Sequence, residues 1–342
     1  MLSPQRRPKQ TGEDIDMQSI TRALAATTLL ILTAGGTAAQ SWPGDKQIFF
    51  IVPFAAGGGT DAFARPLAAQ LEKQLKGRIL IENRAGAGGT AGAAAAAKAT
   101  PDGYTFFVGA THHAIAPAIY PRLSYDIEKD FAPIAMISRP PHVVVVNPEK
   151  VKATTVKDLI AESNASGGKM NYASAGNGTT HHLAGELFKM ITKTQIAHVP
   201  YRGAGPALQD LIAGHVNMAF DGLGSSAAAI SAGQIRALAV AAPARVPAFP
   251  NVPTAKEAGL EGYEVATWYA LWAPKGTPEP ILKRMEAEIA TALQEPTIKA
   301  AWERQGSDVP AVSGAAFGKF VSEEVAKWGK VVKAAGVKLE GN

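Results

Sequence analysis

Four Gly-rich turns, each between an apolar β-branched run and a helical pattern, carry the residues best placed for chemistry. The first is Pro53-Phe54-Ala55-Ala56-Gly57-Gly58-Gly59-Thr60-Asp61. Three glycines at a strand end bare backbone N–H groups at the positive end of a helix macrodipole, an arrangement that favours an anion. Thr60 or Asp61 is placed to cap that helix. A tight capped turn without a ligand is the competing reading of this loop taken alone. The turn Ser174-Ala175-Gly176-Asn177-Gly178-Thr179-Thr180 mirrors it, ahead of a helix that carries His181 and His182. Two such turns in two lobes could face each other across a cleft. Tyr201-Arg202-Gly203-Ala204-Gly205 is again strand end to helix.

The second turn along the chain, Gly86 to Ala91, which precedes the third at Ser174 and the fourth at Tyr201, satisfies the dinucleotide pattern G-x-G-x-x-A. It follows the second strand, and the next strand ends at Gly109-Ala110-Thr111 without the acidic residue a ribose requires, so a nicotinamide cofactor is rejected. The 7 histidines all lie between positions 112 and 215, but no H-E-x-x-H or comparable spacing supports a metal site. Ser174 is not a nucleophile elbow, because Tyr172 occupies the first glycine position of G-x-S-x-G. No carboxylate pair has a spacing that argues for acid–base catalysis; Asp61 and Asp221 could meet at strand ends, though capping is the simpler role. Cysteine is absent, which excludes a disulfide framework, a thiolate nucleophile and an iron–sulfur cluster. The net charge of +5 is dispersed along the chain, with no basic stripe interleaved with aromatics, so nucleic acid is not an expected partner. No cofactor is expected.

The elements that position these turns alternate along the chain. With 342 residues, 46% of them hydrophobic and 18% charged, a sizeable core in two lobes is expected. Gln47–Phe54, Arg78–Asn83 and Tyr104–Gly109 read as strands. Between them, Asp61–Lys76 places Phe63, Leu67, Leu71 and Leu75 on one helical face, and Gly89–Ala99 is a small-residue helix. A second series begins at Val143–Val146. It continues through strands at 170–174, 196–201, 216–221 and 235–241 and helices at 155–165, 180–191, 206–213 and 225–232. The tail adds a strand over 265–273 and amphipathic helices over 279–305, interrupted near Pro296, and over 314–335. Such alternation implies parallel sheets.

From Met17 the chain reads as a secretory signal peptide. Arg22 supplies the positive region, Ala23 to Ala34 the apolar one, and Thr37-Ala38-Ala39 a small-x-small cleavage site. Residues 1–39 are therefore expected to be removed, with Met17 as the translation start, leaving a periplasmic protein.

The motifs follow one another in an order that resembles a known family. PFAAGGGTD, ENRAGAGGTAGA, PDGYTFF, YASAGNGTTHHLAGELF, HVPYRGAGPALQDLIAGHVNMAFD, FPNVPTAKEAGL, WYALWAPKGTP and EEVAKWGKVVKAAG together resemble the Bug family, the extracytoplasmic solute receptors of the tripartite tricarboxylate transporters. The resemblance covers essentially all of 45–338. It implies an α/β type II periplasmic binding protein fold with a double crossover. Residues 40–141 and 243–342 would form lobe I and residues 142–242 lobe II, with hinges near Pro140–Pro141 and Ala242–Pro243. It further implies a monomer without catalysis. The ligand would be a mono-, di- or tricarboxylate, including aromatic acids, handed to an integral-membrane permease. The same receptor presenting its ligand to a sensor kinase, or an exported enzyme on this fold, are the alternatives. Carried onto this sequence, the resemblance assigns Phe54, Gly58, Gly59, Thr60 and Asp61 from the first loop. It assigns Ser174, Gly178, Thr179, Thr180, Tyr201 and Asp221 from the second lobe, and Thr111 and His112 at the end of the third strand. His181, beside the more usual His182, departs from the family pattern and bears on ligand choice.

Overall fold

The computed structural model describes residues 42–335, so the expected signal peptide lies outside the described residues. The chain builds two mixed five-stranded sheets. The first series runs β1 (Ile48–Val52), α1 (Gly59–Leu75), β2 (Ile79–Asn83), α2 (Thr90–Ala97), β3 (Thr105–Ala110), α3 (His112–Ile119) and β4 (Phe131–Ser138). The second runs β5 (His142–Val146), α4 (Val156–Ala165), β6 (Asn171–Ser174), α5 (Thr180–Thr192), β7 (Ala197–Pro200), α6 (Ala204–Ile212), β8 (Met218–Gly222), α7 (Leu223–Ser231) and β9 (Arg236–Val240). The tail contributes β10 (Tyr269–Pro274), α8 (Glu279–Ala292), α9 (Pro296–Arg304) and α10 (Gly314–Ala335).

The strand orders are β2-β1-β3-β10-β4 and β7-β6-β8-β5-β9. Parallel pairing holds for β1 with β2 and β3, and for β6 with β7 and β8. It fails where the chain changes sheets. β10 lies antiparallel between β3 and β4, and β5 antiparallel between β8 and β9. Each of these strands enters its sheet from a crossing segment and therefore arrives from the opposite end.

Two elements were not foreseen. Residues 112–119 form α3, so Thr111 and His112 open a helix and do not end a strand. β4 carries Pro133, which breaks the usual strand signature, yet every other residue of the strand is buried.

The crossing segments pair with each other. His142 N–H donates to Val265 O (2.8 Å), Thr267 N–H to Pro140 O (3.2 Å), and Pro141 bridges Ala266. The return was expected at Ala242–Pro243, but residues beyond that point still pack on the second sheet. Val246 and Phe249 lie with Val143, Leu211 and Leu223, and Ala255, Leu260 and Tyr263 with Val144, Phe188 and Phe220. The prolines there punctuate the chain without ending the core. Helix α10 then packs on α3 and β4, bringing the tail back to the first sheet. Among the described residues, no helix is long and apolar enough to cross a membrane.

Candidate ligand-binding cleft

Between the two sheets lies a cavity of about 10 Å³ lined by Phe54, Gly58, Gly59, Thr60, His112, Ala175, His181, Ala204 and Tyr269. The lining has a common origin. Gly59 and Thr60 open α1, His112 opens α3, His181 is the second residue of α5, and Ala204 opens α6. Four helix N-termini therefore meet at one point. The N-caps of α1 and α6 are Gly58 and Gly203, neither of which supplies a side-chain cap. Their first-turn N–H groups keep their partial positive charge, and an anion at the meeting point is the natural complement. Among the described residues, no Lys or Arg lines the cavity. Its volume is about that of one water, so a larger solute enters only if the lobes separate.

The Gly-rich turns touch in an order different from the expected one. The first turn packs on the fourth. Ala55 N–H donates to Arg202 O (3.2 Å), and a methyl on Gly58 would sit 3.4 Å from the N atoms of Ala204 and Gly205. The second turn packs on the third. Tyr120 Oη–H donates to Asn177 O (2.8 Å), and a methyl on Gly176 would lie 3.4 Å from Gly88 Cα. The first and third turns both border the cavity, the third through Ala175.

The expected site residues separate into those that line the cavity and those that hold the liners. Phe54 stands edge-on to the His112 ring, with centroids 4.9 Å apart. Asp61 does not cap α1. Its carboxylate accepts from Gly57 N–H (3.1 Å), Arg65 Nε (2.7 Å) and Asn83 Nδ2 (3.1 Å), and so fixes the glycine turn from behind. Burial pushes the Asp61 carboxyl up, but these bonds together with the Arg65 charge leave it below the ordinary carboxylate range. Thr111 is fully buried and joins α3 to the tail, its hydroxyl accepting from Trp268 N–H (2.8 Å). The Ser174 hydroxyl is held by His198 Nε2 (2.6 Å) and Gly176 N–H (3.1 Å), away from the cavity. Gly178 N–H donates to His182 Nδ1 (3.2 Å). Thr179 caps α5, accepting from His182 N–H and donating to Gly176 O. Tyr201 donates to Asp210 (2.7 Å) and faces α6.

A hydrogen-bonded chain runs across the closed cleft. His112 Nδ1 lies 2.8 Å from the Thr180 hydroxyl, and the Thr267 hydroxyl stands 3.1 Å from Thr180 and 2.7 Å from His142 Nε2. His142 Nδ1 completes it on Phe220 O (3.1 Å). Burial drives both rings to the neutral form, His112 well below the ordinary histidine value and His142 to about 3. Asp221 is buried and accepts from the Ser225 hydroxyl (2.7 Å) and from that of Ser226. Burial raises its pKa, but the nearby His181 and the two serines hold it below the ordinary range.

Sequence reasoning did not place Tyr269, Ala175 or Ala204 at the cavity. Tyr269 reaches it because β10 inserts beside β3; a methyl on Gly59 would lie 2.9 Å from Tyr269 Cζ. Among the described residues, no cluster of His, Asp and Glu is suited to a metal ion. A much larger groove, bordered by Leu183, Met190, Pro243 and Trp328, includes none of the Gly-rich turns and shows no convergence of helix N-termini.

The sequence pattern of the tripartite tricarboxylate transporter family receptors matches residues 63–337. The chain belongs to that receptor family. Solved relatives carry the same fold. The periplasmic binding protein BugD is 32% identical with a TM-score of 0.82, covering 85% of this chain and 98% of its own. A Rhodopseudomonas palustris protein solved with adipate, Rpa4515, is 36% identical with a TM-score of 0.83, covering 87% and 100%. MatC from Rhodopseudomonas palustris, with bound malate, is 35% identical with a TM-score of 0.79, covering 84% and 98%. The two-lobed periplasmic binding protein architecture expected of the receptor is thus shared with these structures, and its family is one of solute receptors.

Proposed function

We propose that this receptor captures a small carboxylate between its two lobes in the periplasm and delivers it to a membrane permease of the tripartite tricarboxylate type. The observation that carries the reading is the convergence of four helix N-termini on one cavity without a lysine or arginine. Backbone N–H groups hold a carboxylate by charge-assisted hydrogen bonds and demand nothing of the rest of the ligand. Relatives holding adipate and malate, acids of different length, accord with that division of labour. Gly58, Gly59 and Thr60 from α1, with Ala175 and Ala204 from the facing turns, would hold the carboxylate. Phe54, His112 and Tyr269 would border it. Asp61, Thr111, Ser174, Gly178, Thr179, Thr180, Tyr201 and Asp221 would act from behind, by fixing the turns and helix ends. Residues 140–142 and 265–267 would serve as the hinge, because they join the sheets as a paired two-stranded link.

A thermal-shift screen of residues 40–342, unfolded and refolded to strip carried-over ligand, tests this. The panel spans malate, adipate, citrate, amino acids and aromatic acids, with phosphate and sugars as controls. A ligand at 100 times its Kd adds about 2.7 kcal/mol of stability, which is readily seen. A response confined to one acid class would support the receptor and name its substrate. Silence from every acid, with the protein shown to be folded, would reject the reading.

A further inference from the structure

His181 differs from every other histidine of the cleft in what its ring nitrogens do. It is 4% exposed and lines the cavity. His112 and His142 engage the hydrogen-bonded chain across the lobes, and His113 sits between Ala110 and Gly89 through its two nitrogens. The His181 Nε2 atom lies 2.9 Å from Asp221 Oδ1, at ion-pair distance but out of line for a hydrogen bond. Its Nδ1 has no hydrogen-bond partner among the described residues. A buried polar atom with no partner is costly, and one bordering a ligand cavity is explained if the ligand completes it.

Charge balance says in which form. Asp221 is a buried carboxylate with no Lys or Arg partner at 4 Å or less among the described residues; His181 is its ion-pair partner. A carboxylate ligand at the meeting of the four helices brings a second negative charge into the same closed space. A neutral His181 would leave two carboxylates separated by an uncharged ring in a poorly solvated site, which is strongly unfavourable. The groups facing His181 from the elements packed on it are Asp221 on β8, His142 on β5 with ring centroids 4.9 Å away, and His112 on α3 at 6.1 Å. Tyr269 on β10 is kept protonated by burial and by the charge of the Asp221 carboxylate. The two neighbouring histidines are neutral and Tyr269 stays protonated, so none of them supplies a positive charge.

Resting on the carboxylate reading above, we propose that His181 is a specificity-determining residue that binds the ligand as an imidazolium, its Nδ1–H donated to the ligand and its charge paired with Asp221 on the Nε2 side. The receptor is thereby selective for acids over uncharged analogues of the same shape. Its affinity is coupled to one proton. Because the complex holds one more proton than the separated partners, affinity falls as pH rises, by at most about tenfold per pH unit.

The test uses the refolded receptor with malate and adipate as probes, titrated calorimetrically from pH 5.5 to 9.5 in two buffers of different ionisation enthalpy. The wild type should weaken with pH at a slope approaching one and take up a matching fraction of a proton. H181Q should bind about 10- to 100-fold more weakly at the acid end, the worth of a charge-assisted hydrogen bond, and its affinity should not change with pH. Nitrogen-15 spectra of the histidine rings in the wild-type complex should show both His181 nitrogens protonated, a readout that does not depend on the variant folding. A neutral His181 ring in the complex, or matching pH profiles for wild type and H181Q, overturns the proposal while leaving carboxylate binding intact. Failure of both acids to bind wild type, with every other acid of the screen silent, overturns the carboxylate reading and this inference together.

Discussion

Replacing Gly205 with alanine should weaken ligand binding without destabilising the free receptor. Gly205 is the second residue of α6, and its φ lies outside the left-handed region, so the backbone itself accepts a side chain. In a helix, alanine is favoured over glycine by up to about 1 kcal/mol. The obstacle is across the cleft. A methyl there would overlap Ala56 O and come within 3.1 Å of Gly57 C and 3.2 Å of Ala56 C. These are backbone atoms of the opposite lobe and cannot rotate away. Relief requires the first and fourth turns to part, and overpacking of this kind typically costs about 1–3 kcal/mol. That cost falls on the closed form alone, so the apparent Kd should rise about 5- to 150-fold. Calorimetric titration with the acid found in the screen gives the Kd, small-angle scattering the degree of opening, and a thermal melt the stability of the free protein. G329A, on α10 with nothing within 4 Å of the added methyl, is the matched control and should bind as wild type. Wild-type affinity in G205A would refute the idea that these turns must touch for the ligand to be held. An equal loss of free-protein stability would refute the claim that the clash belongs to the closed form.

Gly58 offers a graded version of the same contact. Its added methyl meets Ala204 N and Gly205 N at 3.4 Å, so G58A should cost little, whereas G58L should abolish measurable binding with the melting temperature nearly intact. D61A should lower stability by about 1.5–3 kcal/mol in urea denaturation, because three hydrogen bonds to a buried carboxylate are lost. The Asp61 pKa is lowered by folding, so its contribution is complete above the unfolded carboxylate value and disappears as pH falls; the gap between D61A and wild type should close below about pH 4. His113 and His142 are held neutral by burial, to about 4 and about 3 respectively. Their folded values lie below the unfolded one, so stability is complete above about pH 6.5. From there down to about pH 4 it should fall by about 1.4 kcal/mol per pH unit for each ring, read from urea midpoints at fixed slope. A flat profile over that window would show that these rings are not buried neutral.

The strand–turn–helix units were legible because each rests on local signals. Phe63, Leu67, Leu71 and Leu75 do lie buried on one face of α1, and the glycine turns do precede helices. What the sequence left open was long-range pairing. β10 carries Tyr269 into the first sheet between β3 and β4, after the whole second sheet has been built, and no periodicity announces where a late strand inserts. The same holds for the turns. Each reads as an anion-friendly helix start, but which one packs on which depends on how the sheets are set by the crossing strands. α3 was missed for a local reason: it begins directly after β3 with only Thr111 between them, and Pro117 sits inside the helix.

The two acidic residues that sequence reasoning placed near the ligand resolve into opposite roles once their partners are seen. A carboxylate beside an anion site is a liability unless its charge is cancelled. Asp61 is cancelled permanently by Arg65, whose side chain is half exposed and reaches it from outside the cleft. It can therefore brace the glycine turn without repelling the ligand. Asp221 has no such partner. It faces a histidine that lines the cavity and whose other nitrogen has no partner among the described residues, so its cancellation depends on a proton that the ligand itself helps to hold. Exchanging the two arrangements separates the roles. H181K would give Asp221 a permanent cation, and the variant should bind acids with an affinity that no longer changes across the histidine range. If H181K kept the wild-type pH dependence, the proton would have to reside elsewhere, and the hydrogen-bonded chain through His112, Thr180, Thr267 and His142 would be the place to look.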